Sequence, residues 1–277
     1  MDEPIRIISD LHLGHKASLA RDIEQIAPLY DGVRTVIFNG DTIEMRSPRD
    51  RMRAERVMRE VQEFCAEQDA TTHFINGNHD PIISTINHLE LGDGSLLVTH
   101  GDVLFHEIAP WSEHASELGG IHDRLISELN ADERKSLEAI LSTNKRVSQS
   151  IDIEEFNIPN GAWGQFSTFM RQTWPPKRFV KMVSSWKSTP AHAVNLVKLY
   201  RPEARCIIVG HTHFPGVWHR HGRTVINTGS YLPMLGRLAV DYADGCVTVR
   251  KVVFRRGRFH LSRMISRFSI AARAKCA

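Results

Sequence analysis

Short apolar runs alternate with amphipathic stretches through the first hundred residues, and each run ends in a cluster of polar residues. Continuous apolar runs of this length predict buried strands, here Arg6–Ser9, Thr35–Asn39, His73–Asn76 and Leu96–Thr99. The stretches between them predict crossover helices, roughly over Ser18–Tyr30 and Arg49–Glu67. Ligands of open α/β sheets bind at the carboxyl ends of strands, so we expect the polar clusters to converge on one site.

The pattern changes after residue 103. Ala131–Ser148 and Phe179–Tyr200 predict helices, and an aromatic-rich piece lies between them. The next strand signal is Arg205–Val209, after which short β segments continue to about Phe254. We therefore predict an α/β two-sheet sandwich over residues 1–254, in which residues 104–203 form a helical insertion.

Composition excludes several classes of protein. A chain of 277 residues with 42% hydrophobic positions can bury a full core, and a net charge of +3 gives no reason to expect specific nucleic-acid binding. No window reaches the roughly 18 to 20 apolar residues that span a bilayer, and the first residues lack a signal-peptide pattern. Because Cys65, Cys206, Cys246 and Cys276 form no Cys-x-x-Cys pair, we expect a reducing setting and a cytoplasmic protein.

The segment 255–277 is basic. Between Arg255 and Lys275 there are seven Lys or Arg and no acidic residue. Apolar residues recur there at helical spacing, which predicts an amphipathic helical tail, at Leu261, Met264, Ile265 and Phe268. Such a helix can lie peripherally on an anionic membrane surface, here the inner face of the membrane. The alternative is that its apolar stripe packs onto the domain or a sister subunit.

The polar clusters contain the residue types that hold two metal ions. Hard divalent cations bind oxygen and imidazole ligands, and a hydrolytic two-metal site needs two such sets joined by a bridging carboxylate. Residues two apart on an extended chain point the same way, so each Asp-x-His or His-x-His pair can grip one ion. Either pair alone is common by chance, but five clusters at strand ends, each beside a glycine, are not. The candidate ligands are Asp10, His12, Asp41, Asn78, His100, His211 and His213.

These clusters match a known set of motifs. The blocks Ser-Asp-Leu-His-Leu-Gly from Ser9, Gly40-Asp41, Gly-Asn-His-Asp from Gly77, His-Gly-Asp from His100 and Gly-His-Thr-His from Gly210 closely resemble the signature blocks of the calcineurin-like metallophosphoesterases. They cover residues 5 to about 230, apart from the insertion.

The resemblance implies an α/β/β/α sandwich that hydrolyses a phosphate ester or pyrophosphate bond with metal-activated water. One metal would be held by Asp10, His12 and His213, and the other by Asn78, His100 and His211, with Asp41 bridging. Manganese is the favoured metal, with iron or zinc as alternatives.

The resemblance also names the candidate catalytic residues, which are Asn78, His79 and Glu44. His79 would face the substrate, stabilising the transition state or protonating the leaving oxygen. Glu44 would orient His79, although the family often has Asp at this position.

Within the family, the chain looks most like the branch of the UDP-2,3-diacylglucosamine diphosphatases. The Ser-Asp-Leu-His-Leu start, the Gly-Asp-x-x-Glu at 40–44 and the long insertion carry that likeness. In that branch the insertion caps the site and receives acyl chains, which suits the aromatic content of residues 156–186. Those enzymes typically have Arg in place of His79, and their insertion is shorter. A generic phosphoesterase acting on nucleotides, phosphoproteins or small esters is therefore the main alternative, and a non-catalytic scaffold of the same fold is a remote one.

Overall fold

The computed structural model describes residues 1–46, 51–150, 176–233, 235–270 and 276. A first sheet of six strands has the order β11-β10-β9-β1-β2-β3, and a second sheet of five has the order β4-β5-β6-β8-β7. The strands are β1 (Ile5–Ile8), β2 (Thr35–Asn39), β3 (Thr71–Ile75), β4 (His88–Leu91), β5 (Leu96–Thr99), β6 (Cys206–Val209), β7 (Gly216–Arg220), β8 (Arg223–Asn227), β9 (Leu238–Ala243), β10 (Cys246–Arg255) and β11 (Arg258–Ser269). The α-helices are α1 (Arg51–Ala66), α2 (Ala115–Glu128), α3 (Leu137–Gln149) and α4 (Pro176–Tyr200).

Parallel strands occupy the centre of both sheets. Strand β1 pairs parallel with β2 and β2 with β3, while β5, β6 and β8 run parallel in the second sheet. Antiparallel strands β9 to β11 extend the first sheet, and β4 and β7 flank the second. The carboxyl ends of the parallel strands thus provide the edge at which the predicted polar clusters lie.

The two sheets pack face to face over an apolar core, and helices cover both outer faces. Ile7 and Ile37 of the first sheet meet Val98 and Ile208 of the second. The outer face of the first sheet packs on α1 and on a 3-10 helix, Ile23–Leu29. On the second sheet α3 and α4 form the outer layer. This is the expected α/β/β/α sandwich with a helical insertion, and the prediction of the fold class is confirmed.

The insertion supplies the helical layer that covers the second sheet, since its helices α2, α3 and α4 lie between β5 and β6 in the chain. Leu141 of α3 and Val194 and Val197 of α4 pack in one cluster with Ile207 and Val225 of the second sheet. The insertion is therefore joined to the sheet by a continuous core. The aromatic residues Trp163, Phe166, Phe169 and Trp174, on which the cap interpretation depended, lie outside the described residues.

Two elements differ from the sequence prediction in the first hundred residues. Only Ile23–Leu29 of the predicted helix Ser18–Tyr30 is helical, as a 3-10 turn that contains Pro28. Proline has no backbone N–H to donate and clashes with the preceding turn, which limits helix length there. Strand β4 was not predicted because half of its sequence, His-Leu-Glu-Leu, is polar. This strand lies at an edge of the second sheet.

The predicted C-terminal helix is wrong. Residues Arg258–Ser269 form β11, which pairs antiparallel with β10. The pairing register shifts on either side of Arg250, and such a bulge moves side chains between the faces of a sheet. Leu261 and Phe268, which are seven residues apart, lie on opposite faces of β11, with Leu261 on the outer core and Phe268 on the inter-sheet core, while Met264 is 55% exposed. The four apolar residues therefore do not form the single stripe that their helical spacing predicted.

The cysteines also differ from the expectation of unpaired thiols in a reducing setting. Cys246 at the start of β10 forms a disulfide with Cys276, with 5.7 Å between their Cα atoms. Cys65 and Cys206 are free. The two cysteines are 30 residues apart, and this spacing gave no sequence signal for the pair.

Among the described helices, none has the length and apolar character that crossing a bilayer requires.

Candidate metal centre

The loops that follow the central strands converge on one edge of the sandwich and bring all seven candidate ligands together. All of them except His213, whose side chain is 20% exposed, are buried. The loops after β1, β2, β3, β5 and β6 supply, respectively, Asp10 with His12, Asp41, Asn78, His100, and His211 with His213.

A first group of ligand atoms surrounds one point. His213 Nε2 lies 3.2 Å from Asp10 Oδ1 and 3.2 Å from His12 Nε2. His12 Nε2 lies 3.8 Å from Asp41 Oδ2. Ligands that share an ion at about 2.0–2.2 Å are separated from one another by about 3 Å or slightly more. These four side chains therefore fit one cation.

A second group lies on the other side of Asp41. His100 Nε2 is 3.3 Å from Asp41 Oδ1 and 3.2 Å from Asn78 Oδ1. His211 Nδ1 is 2.8 Å from the same Asn78 oxygen. Asp41 is the one residue common to both groups, and its buried Oδ2 has no hydrogen-bond partner among the described residues. This arrangement fits two cations with Asp41 between them.

The charges of the cluster favour added cations. Burial lowers the pKa of His211 to about 4, and burial together with the neighbouring His79 holds the pKa of His12 well below its usual value. Metal ligation requires such neutral imidazoles. Burial alone would lower the pKa of His100 as well, but the negative charge of Asp41, with that of Asp10, raises it to about 10. The carboxylates thus favour a positive charge where the ligand atoms converge, whether it is the proton of His100 or a metal ion that replaces this proton.

The backbone of the ligands is unusual, and the assumption of an extended chain is wrong. Five candidate ligands have left-handed φ values between +50° and +65°, namely Asp10, His12, Asp41, His211 and His213. Non-glycine residues rarely adopt this region, and strained backbone clusters at functional sites. The members of each pair therefore share a site because the chain turns at both residues, rather than through strand alternation.

Glycines allow the loops to approach the ligands closely. At Gly40, where φ is +81°, a Cβ atom would lie 2.4 Å from His100 Nδ1. At Gly210 it would lie 2.1 Å from Asp10 Oδ2. Any side chain at these positions would displace a candidate ligand, so glycine is required by space at both, and at Gly40 also by its left-handed conformation.

Asp80 holds the site together and was missed as a site residue. Its carboxylate accepts hydrogen bonds from the backbone N–H groups of Gly77, Asp41, Thr42 and Ile43 at 2.7–3.2 Å. Burial and the neighbouring Asp41 raise its pKa to about 6. The only sequence signal was its place at the end of the Gly-Asn-His-Asp block, since its contacts with the β2 loop are long-range.

His79 and Glu44 form a pair beside the ligands. His79 Nδ1 lies 2.5 Å from Glu44 Oε2, and His79 Nε2 lies 3.7 Å from Asp41 Oδ2. Burial would raise the pKa of Glu44, but His79, followed by Arg46, holds it well below its usual value. The pair places one imidazole nitrogen at the ligand cluster and the other against a buried carboxylate.

Comparison with known proteins identifies the family. The family model for the calcineurin-like phosphoesterase matches residues 3–215, and the chain belongs to this family of phosphoester hydrolases. A search of curated proteins gave no match.

Solved structures with a similar fold include vacuolar protein sorting 29 from Cryptosporidium parvum, at 12% identity and a TM-score of 0.44, covering 97% of this chain and 100% of that one. A dimetal phosphatase from Danio rerio has 12% identity and a TM-score of 0.44, with coverage of 90% and 96%. A conserved protein described as a predicted phosphoesterase from Streptococcus pneumoniae has 15% identity and a TM-score of 0.39, with coverage of 97% and 99%.

Asp41→Asn tests the shared carboxylate. The substitution removes the negative charge common to both groups, so we expect fewer than two ions per chain by elemental analysis and loss of nearly all phosphoesterase activity, with the circular dichroism spectrum unchanged. The exposed Asp31→Asn serves as the control and should retain both ions. Two ions and full activity in Asp41→Asn would contradict the dinuclear interpretation.

Proposed function

We propose that the protein is a dinuclear metal-dependent hydrolase of phosphate ester or pyrophosphate bonds. The observation that carries the proposal is the pair of buried ligand groups that share Asp41. Asp10, His12 and His213 would hold one ion, and Asn78, His100 and His211 the other. Bound ions would polarise the phosphoryl oxygens and acidify a water molecule. Manganese is the favoured metal, with iron or zinc as alternatives.

His79 acts on the substrate in this proposal. The Nδ1–H of His79 donates a hydrogen bond to the Glu44 carboxylate, so the other ring nitrogen is directed at the ligand cluster. The Glu44 carboxylate holds the ring in this orientation, in which a proton carried on Nε2 would be directed at the leaving oxygen. Glu44 is long enough to reach His79, so it can fill the role that Asp often has in the family.

His79→Ala is expected to keep both ions and to lower turnover by about 10²- to 10⁴-fold, the usual range for loss of a general acid or base. Glu44→Gln, which keeps the size but not the charge, should lower turnover less. Exposed Glu63→Gln is the control. Loss of an ion from His79→Ala would instead identify His79 as a ligand. A wild-type protein that binds no metal and cleaves no chromogenic phosphodiester would favour the non-catalytic scaffold.

An apolar surface beside the ligands supports a lipid-linked nucleotide-diphosphate substrate, such as a UDP-sugar lipid. Phe214 directly follows His213, is 40% exposed and stacks on Trp186 of α4, with ring centroids 4.8 Å apart. An aromatic pair at this place can bind an acyl chain or another apolar group next to the scissile bond. A nucleotide, a phosphoprotein or a small phosphate ester remains the alternative substrate.

Phe214→Ala distinguishes the two substrate classes. Removing part of this apolar surface should raise KM about five- to tenfold for an acyl-bearing substrate, corresponding to about 1 kcal/mol, and leave KM for p-nitrophenyl phosphate esters nearly unchanged. Leu199→Ala, at an exposed apolar residue near the C-terminal end of α4, is the control. Equal effects on both substrates would favour a generic phosphoesterase.

The β10–β11 hairpin supports a peripheral contact with an anionic membrane, although not as the predicted helix. It carries exposed cations and no acidic residue between Cys246 and Ser269, the cations being Arg250, Lys251, Arg255, Arg256, Arg258, Arg263 and Arg267. Phe254, Met264 and Ile265 are exposed among them. Cations near an anionic surface contribute about 1 kcal/mol each, and the interspersed apolar side chains favour lipid over nucleic acid.

Charge reversal at the tip of the hairpin tests this contact. Arg255→Glu with Arg258→Glu should reduce sedimentation with phosphatidylglycerol vesicles at least about tenfold at low salt, since two attractive charges become repulsive. Arg59→Glu with Lys198→Glu changes the net charge equally at exposed sites of α1 and α4 and should have a smaller effect. Unchanged binding of the hairpin variant, or binding insensitive to high salt, would contradict the contact.

A further inference from the structure

We propose that the helical insertion positions the metal ligands, through three polar contacts that reach the loops after β5 and β6. This inference rests on the proposed dinuclear site. The contacts come from three separate parts of the insertion, which are the loop before α2, helix α3 and helix α4. The residues that provide them are Ile108, Asn144 with Lys145, and Trp186.

The first contact fixes the ring of His211. Its Nε2 lies 2.7 Å from the carbonyl oxygen of Ile108, so Nε2–H donates and Nδ1 is left to face Asn78 Oδ1. Ile108 has a left-handed φ of +58°, which is rare for a β-branched residue. It is 2% exposed and packs with Leu118 and Leu125 of α2. Packing inside the insertion thus holds a strained carbonyl against a candidate ligand.

The second contact holds the loop that carries His100. Lys145 Nζ and Asn144 Nδ2 donate to Asp102 Oδ2 at 2.7 Å and 2.6 Å. Asp102 lies two residues after His100 and is fully buried, and Lys145 is only 4% exposed. Because this ion pair is shielded from water, loss of the lysine would leave a buried carboxylate without its cation beside the ligands.

The third contact involves the residue between the two histidines of the Gly-His-Thr-His block. Trp186 Nε1 donates to the carbonyl oxygen of Thr212 at 2.8 Å. The indole also stacks on Phe214, so one side chain of α4 contacts both chain neighbours of His213, Thr212 and Phe214. A rigid indole can hold this short loop in one conformation.

These contacts differ from ordinary packing because they end on the ligand loops. The apolar core already joins α3 and α4 to the second sheet through Leu141 and Val194. Groups that hydrogen-bond to metal ligands or hold their loops tune metal affinity, and their loss typically weakens it about 10- to 100-fold. The insertion therefore acts as the support of the second ion and of His213, in addition to covering the sheet.

Lys145→Met in the full chain tests the proposal by metal affinity. Titration calorimetry with Mn²⁺ and with Zn²⁺ should show two ions on the wild-type protein and about 10- to 100-fold weaker binding of at least one ion to the variant. Lys145→Arg, which keeps the cation, should recover part of the affinity. Arg146→Met is the matched control, because this neighbour on α3 points to the surface and pairs with Glu128. It should bind both ions as the wild type does.

Trp186→Phe provides a second, milder variant in case Lys145→Met does not fold. It keeps the stacked ring but removes the N–H donor, and it should also weaken metal binding at an unchanged melting temperature. Wild-type affinity for both ions in folded Lys145→Met and Trp186→Phe would overturn the proposal. If Lys145→Met does not fold, wild-type affinity in Trp186→Phe alone would overturn it. Failure of the wild-type protein to bind two ions would instead overturn the proposed function.

Discussion

The burial of Asp41 at the centre of the ligand cluster is the constraint on which the rest of the structure depends. Its carboxylate is 1% exposed and faces imidazoles on both sides. A buried charge is tolerated only when other charges and hydrogen bonds compensate for it. The backbone of His79 donates to one of its oxygens, and Asp80 ties the surrounding loops together through their N–H groups. The hydrogen bonds of the strand-end loops thus hold the Asp41 carboxylate in place.

The sandwich makes that arrangement feasible. Parallel strands of two different sheets end at the same edge, so the loops that directly follow these strands bring candidate ligands from Asp10 to His213 together. The insertion completes the outer layer and also reaches the ligand loops. The helices of the insertion therefore both cover the second sheet and contact the loops that carry candidate ligands. Polar contacts such as that of Lys145 with Asp102 belong to the second role.

Local signals in the sequence predicted the central parallel strands and the family, but not the contacts between residues that are distant in sequence. Thr35–Asn39 and Leu96–Thr99 were predicted at their observed bounds because short, continuous apolar runs are typical of buried strands. The ligands could be proposed because they follow such runs. Asp80, Ile108 and Lys145 could not, since their partners are distant in sequence. The helix predicted over the last residues was wrong because its apolar residues have helical spacing but pack on opposite faces of a strand that pairs with β10, a long-range contact.

The left-handed backbone of Asp10, His12, Asp41, His211 and His213 has a consequence for selectivity among ions. A loop already held in a rare conformation by its glycines and hydrogen bonds has little freedom to contract or expand around an ion. In the proposed dinuclear site, the conformational cost of assembling the coordination sphere would be met when the chain folds, and little of it would remain for the moment of binding. A rigid cavity of this kind discriminates by ionic radius and preferred geometry, so an ion of the wrong size cannot improve its fit by remodelling the protein.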